Sequence, residues 1–275
     1  MRSFPFVARH ASLLLALLVA GMTPALDGGA DAVPCGEDAG APSCADRPSG
    51  RILVLPGVYN TRFQLAGFVK RAEERLPGFD VEVRRWGTPL LALKNLRAHE
   101  RNVATAADLA AEIAEWRAAH PDEPFYLVGY SGGGGMAVLV AAALPDGVAI
   151  DRLILIAPAI SPDYPLEREV LPKVREFVAN YASERDLQVG WGTRTFGTID
   201  REHVDSAGAV GFAIDDPKIA QWYWSPADRA FGHRGNHVAY LGRRWQAAAL
   251  LPALDPDATA ETLIHAWRNR HEEIR

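Results

Sequence analysis

The stretch FYLVGYSGGGGMAVLVAAAL, residues 125 to 144, constrains the fold more than any other part of the chain. An apolar run reads as a buried strand, one serine follows, and four glycines then open a second apolar run of helical length. Gly129-Tyr130-Ser131-Gly132-Gly133 fits G-x-S-x-G. In a strand–turn–helix that pattern has a mechanical reason. The turn is so tight that its serine is strained and projects the hydroxyl from the sheet edge. The positions two before and two after then face backbone closely and take only glycine or another very small residue. The helix that follows aims unpaired N–H groups at the site, which favours developing negative charge.

Two other readings of the glycines are weaker. Gly132 to Ala137 also fits G-x-G-x-x-A, but a dinucleotide site expects an acidic residue near the end of the next strand. RLILIAPAI ends instead in Ala157-Pro158-Ala159. The serine strand is also the third in the chain, where a dinucleotide strand is usually the first of its domain. No G-K-[ST] follows the glycines, so a P-loop is excluded.

Around this junction the chain alternates. RILVL reads as a strand ended by Pro56-Gly57, and FQLAGFVKRAEERL as a helix stopped by Pro77-Gly78. FDVEVRRW has strand alternation and VATAADLAAEIAEWRAAH a helical pattern. After the serine helix, RLILIAPAI is a strand, and KVREFVANYAS reads as the end of a helix followed by a strand. A last strand is expected around QWYW, a helix over HVAYLGRRWQAAALLPAL up to Pro252, and an amphipathic helix in DATAETLIHAWRNRHEEIR. Alternation with short connections implies an α/β protein with a mostly parallel sheet covered on both faces.

The first 25 residues read differently. Arg2 and Arg9 precede an uncharged apolar run from Ala11 to Met22, then small residues, as in a secretory signal peptide. The run is short for a membrane span, so no stable span is expected in the mature chain, although a signal anchor is an alternative. Residues 26–49, rich in Ala, Asp, Gly and Pro, read as a flexible linker, and 50–275 as the folded domain. Cys35 and Cys44 fall in the linker, where export would favour a disulfide. Net charge is −5, and no Lys/Arg run exceeds two residues, which argues against nucleic acid and polybasic membrane binding.

From Arg51 onward the chain resembles the α/β-hydrolase superfamily, in the compact arrangement that cutinases exemplify. The resemblance rests on the G-Y-S-G-G elbow and the order of elements. It implies a three-layer α/β-hydrolase fold with helices on both faces, and SPDYPLEREVLPKVREF is too short for a large lid domain. It also implies a triad in chain order serine, acid, histidine. Ser131 is then the nucleophile. A base is sought in FGHRGNHVAYLGRRW, with His237 first and His233 as the alternate. Of the remaining histidines, His99 and His120 are expected in loops before the serine, His203 lies too early, and His265 and His271 fall on the terminal helix.

For the acid, ANYASERD supplies Asp186 first and Glu184 second, with Asp163, Asp200 and Asp205 as loop fallbacks. The oxyanion donors implied are the N–H of Gly132 and one from LPGVYN, Val58 first and Tyr59 second. His233 and His237, four apart, would suit a metal on a helix. Gly235 and Asn236 between them argue for a loop, so no metal and no cofactor is expected.

The expected activity is that of an exported serine hydrolase acting on a small-molecule or lipid-like carboxylic ester through an acyl-enzyme. Acyl transfer at the envelope by the same triad, and a non-catalytic binding module on a hydrolase scaffold, are the alternatives.

Overall fold

The computed structural model describes residues 49–272. The expected signal peptide and Cys35 and Cys44 lie outside them, as does all but residue 49 of the linker. Six strands form one sheet: β1 Gly50–Leu55, β2 Phe79–Val83, β3 Phe125–Tyr130, β4 Ile150–Ile156, β5 Val174–Ala182 and β6 Ile219–Tyr223. Their order is β2-β1-β3-β4-β5-β6, and every pairing is parallel. β3, which ends beside Ser131, is therefore central.

The helices are α1 Ala66–Arg75, α2 Ala92–Arg97, α3 His99–Ala119, α4 Gly132–Ala142, α5 Leu166–Glu169, α6 Trp191–Phe196, α7 Ala207–Val210, α8 Arg243–Trp245 and α9 Ala260–Glu272. Strand side chains alternate between two cores. Ile52, Val54, Tyr126, Val128, Ile154 and Ala179 face Phe68 of α1, Trp245 of α8 and Trp267 of α9. Leu53, Leu55, Leu127, Leu153 and Val178 face Leu109 and Ile113 of α3 and Met136 and Val140 of α4. These are the three layers of an α/β-hydrolase, and only α5 and a short 3₁₀ turn separate β4 from β5.

One local expectation is met and two are corrected. In KVREFVANYAS, Lys173 closes the 3₁₀ turn Leu171–Lys173 and the strand follows at once, as expected. Val174–Ala182 is strand throughout, and its exposed Arg175 and Glu176 broke the apolar pattern near the start. HVAYLGRRWQAAALLPAL is not one helix. It runs as 3₁₀ His237–Leu241, α8, π-helix Gln246–Leu250 and 3₁₀ Leu251–Leu254. Gly242 is extended between the first two pieces. The buried Gln246 amide donates to Tyr240 O at 3.0 Å, and Tyr181 Oη donates to Ala249 O at 2.8 Å, so side chains hold groups a regular helix would bond itself. Third, His99 does not lie in a loop but opens α3, where its Nδ1 donates to Ile199 O at 3.2 Å.

The fully buried Arg152 ties the chain's end to the sheet. Its guanidinium lies over Tyr126 and Phe177 and donates to Ala253 O at 3.0 Å, Asp255 O at 2.6 Å and Pro256 O at 2.9 Å. A buried guanidinium costs least when its donors all find acceptors, as these do.

Candidate active site

The end of β3 is built by hydrogen bonds that only a sharp turn satisfies. Ser131 has φ 57° and ψ −124°, a strained backbone for a residue with a side chain. Its N–H donates to Ile156 O at 2.8 Å, and its carbonyl accepts from Gly134 N at 2.8 Å and Ala159 N at 3.0 Å. The serine is thus fixed by β4 on one side and by α4 on the other.

Each glycine of the run meets a different neighbour. A Cβ at Gly129 would overlap Gly133 O, and one at Gly133 would overlap Leu55 O and Pro56 O. These are the two positions the motif demands. At Gly134 a Cβ would come within 2.8 Å of Pro158 Cα, and at Gly135 within 2.8 Å of Ala159 O and Ile199 Cγ1. The last two glycines therefore let α4 lie against the loop after β4, a role the motif does not cover.

The loop after β1 reaches the same place. A Cβ on Gly132 would overlap Val58 Cγ1 and sit 3.4 Å from Val58 N, so the Gly132 and Val58 backbones are neighbours. Gly132 opens α4 and has no intrahelical acceptor for its N–H. Gly57 O accepts from Asn60 N at 2.8 Å, which turns the Val58 N–H to the opposite side of the same planar peptide.

Side chains hold this loop from outside. Trp86 Nε1 donates to Pro56 O at 2.7 Å and Asn95 Nδ2 to Val58 O at 2.7 Å. The buried Asn60, at φ 50°, accepts from Trp86 N at 2.8 Å and Gly87 N at 2.9 Å. Tyr59, the alternate donor, accepts at its carbonyl from Leu90 N at 2.8 Å, and burial raises the pKa of its phenol.

Two loops beyond the sheet's other half supply a carboxylate and an imidazole. Asp186 is fully buried. Its Oδ1 accepts from Gln188 N at 3.0 Å and, more weakly, from Val189 N at 3.5 Å. Its Oδ2 lies 2.6 Å from His237 Nδ1, a charge-assisted length. The His237 ring stacks on Tyr130, with centroids 4.9 Å apart, and Tyr130 Oη donates to His237 O at 3.1 Å. The imidazole is therefore held against the residue next to Ser131. Burial and the Asp186 charge push the Tyr130 phenol far above its usual range, so it acts as a neutral donor.

The other candidates lie apart from this pair. Glu184 and Asp163 are exposed, Asp200 Oδ1 accepts from Ser161 N at 3.0 Å, and Asp205 pairs with Arg194. Arg185 lies over the Trp224 ring. His233 is buried among Trp222, Tyr240 and Trp245, and its Nδ1 accepts from Gly235 N at 3.1 Å. Burial holds its pKa down to about 3, so it is a neutral structural ring. Among the described residues no group of His, Cys, Asp and Glu has the arrangement of a metal site. A crevice of about 630 Å³ lined by Arg75, Pro256 and Leu263 lies near Gly78, at the start of β2 and so at the sheet edge opposite Ser131.

Sequence reasoning missed Tyr130, Asn60, Trp86, Asn95 and Ser183. Only Tyr130 carried a signal, as the variable residue inside the elbow pattern.

The parallel sheet and the strained serine turn at the end of β3 together have the arrangement of the α/β-hydrolase fold. Residues 94–223 match the family of serine aminopeptidase, S33, a span that includes Ser131 and Asp186 and stops before His237. Among solved structures, a predicted CIB-like hydrolase from Thermoplasma acidophilum is 16% identical, over 82% of this chain and 88% of that one, with a TM-score of 0.43. An acetylxylan esterase is 11% identical, over 82% and 99%, with a TM-score of 0.42. The Streptomyces coelicolor thioesterase RedJ is 22% identical, over 48% of this chain and 52% of its own, with a TM-score of 0.30. This chain thus spans about half the length of RedJ. No curated protein matches.

Proposed function

We propose that the protein hydrolyses a carboxylic ester through an acyl-enzyme on Ser131. The observation that carries the reading is the Asp186–His237 pair, held against the elbow by the Tyr130 ring. Serine at its free pKa is a poor nucleophile and needs a base oriented by an acid. In the reaction Ser131 Oγ attacks the carbonyl carbon while its proton passes to His237 Nε2. Asp186 holds Nδ1–H and stabilises the imidazolium. The oxyanion meets the N–H groups of Gly132 and Val58. Collapse breaks the C–O bond to the alcohol, which leaves with the His237 proton. Water repeats the sequence on the acyl-enzyme and frees the acid.

The surface near these residues supports an apolar acyl group. Leu187, directly after Asp186, and Val238, directly after His237, are exposed, as are Phe63, Leu90 and Trp191 in segments that leave the carboxyl ends of strands. We further propose that the chain is exported after cleavage near residue 25, supported by the N-terminal pattern. The mass of the mature N-terminus tests this.

The catalytic reading is tested with Ser131→Ala. Turnover of aryl esters and labelling by a fluorophosphonate should both disappear from a folded variant. Unchanged turnover ends the proposal.

A further inference from the structure

We propose that Ser183 is a positioning residue that ties the Asp186 turn to the His237 loop and so sets the carboxylate–imidazole contact. The inference rests on the hydrolase reading above. Ser183 is buried directly after β5, three residues before Asp186. Its Oγ donates to Gly235 O at 2.8 Å, across 52 residues of chain, and accepts from Arg185 N at 3.3 Å. Its carbonyl accepts from Asp186 N at 3.0 Å, and its N–H donates to Gly208 O at 3.0 Å. One residue therefore bonds both to the turn that carries the acid and to the loop that carries the base.

The far end of this link is equally constrained. Gly235 has φ 86°, and a Cβ there would come within 2.8 Å of Arg185 Cβ, so only glycine lets the loop close on the turn. Its carbonyl is held by Ser183 and its N–H by His233 Nδ1. Gly232, at φ 83°, is the only other positive-φ residue near His237 among the described residues. Without the two pins, two glycines would leave the base loop free to turn. With them, only Asn236 lies between the clamp and His237, and only Glu184 and Arg185 lie between the clamp and Asp186. Catalytic geometry tolerates errors of well under 1 Å, so a link this short controls the contact.

The experiment compares wild type, Ser183→Ala and Ser183→Thr in the full-length protein. Readouts are kcat and KM on a soluble aryl ester, the thermal midpoint, and the low-field proton resonance of His237 Nδ1–H. For Ser183→Ala, kcat should fall about 10- to 100-fold while KM stays within about twofold, and the resonance should move or broaden. Ser183→Thr, which keeps a hydroxyl, should restore both.

A Ser183→Ala protein with wild-type kcat and resonance overturns the inference, even with a lowered midpoint, because the bond would then serve packing alone. A wild-type spectrum without the low-field proton also overturns it. If Ser183→Ala does not fold, the opposite pin decides. His233→Asn keeps an acceptor near Nδ1 and should retain kcat, His233→Phe should lose it, and equal rates overturn the inference. Failure of the hydrolase reading is separately visible, as turnover that survives Ser131→Ala while the resonance still responds to Ser183.

Discussion

Asp186→Asn tests the orienting role proposed for this carboxylate, and the expected magnitude follows from the two sets of contacts. In the native site Oδ1 accepts from Gln188 N and Val189 N, and Oδ2 accepts from His237 Nδ1. An asparagine has one acceptor and one donor end, so it cannot serve both. With its oxygen on the backbone amides, its NH₂ faces Nδ1. The imidazole must then carry its proton on Nε2, where it cannot accept the serine proton. Turning the amide restores the tautomer but sets NH₂ against the Gln188 and Val189 N–H groups.

Val189 N is distant at 3.5 Å, so that rotation leaves essentially one buried N–H unpaired, which costs about 1–3 kcal/mol. Replacing a charged acceptor by a neutral one at Nδ1 removes about another 1–2 kcal/mol of support for the imidazolium. The sum, about 2–5 kcal/mol, predicts a loss in kcat of roughly 30- to 5,000-fold. KM should be little changed. Stopped or continuous assays on p-nitrophenyl esters, with circular dichroism to show that the variant is folded, measure it. A folded Asp186→Asn enzyme within about threefold of wild-type kcat refutes the tautomer argument.

The other predictions are shorter. Gly133→Ala should fail to fold or lose more than about 3 kcal/mol in urea melts, because its methyl overlaps two main-chain carbonyls; near-native stability would show that the β1 loop can retreat. Gly132→Ala conflicts mainly with the Val58 side chain, so esterase activity lost in the single variant should partly return in Gly132→Ala/Val58→Ala. His233 contributes a pH slope. Its folded pKa of about 3 lies below the free value of 6.5, so the unfolded chain binds more protons between those pH values. Stability should therefore be intact above pH 6.5 and fall on acidification through that window by up to about 1.4 kcal/mol per pH unit, and urea midpoints of His233→Phe should lack this component. Glu184→Gln should leave kcat within about twofold of wild type, since the carboxylate is exposed; a larger loss would reopen the choice of acid.

How much of this was legible depended on how local each signal was. The elbow compresses strand, strained serine and helix start into one pentapeptide, so sequence located it directly. Chain order singled out Asp186 and His237, since both follow strands that could be counted, and the structure brings these two side chains within 2.6 Å of each other. Asn95 and Ser183 carried no signal. Their importance comes from partners 37 and 52 residues away, and a lone Asn in a short helix or a lone Ser after a strand carries no pattern of its own. The strand Val174–Ala182 was blurred by its exposed Arg175 and Glu176, while its buried second half matched the pattern. The segment after His237 misled because its composition is helical; the capture of its backbone and side chains by Tyr181 and Arg71 is tertiary.

The four glycines at the start of α4 also bear on how the molecule is assembled. Each glycine lowers helix propensity by about 1 kcal/mol relative to alanine, so the first turn of α4 would not nucleate in an isolated chain. Its supports come from the end of β1 at Gly133, from the segment after β4 at Gly134, and from Ile199, far along the chain, at Gly135. The packing of the elbow thus depends on segments distant in sequence. The customary route to thermostability, exchanging helix glycines for alanine, is shut at these positions, and the Ser131 turn should be among the last parts of the domain to gain protection from hydrogen exchange during refolding.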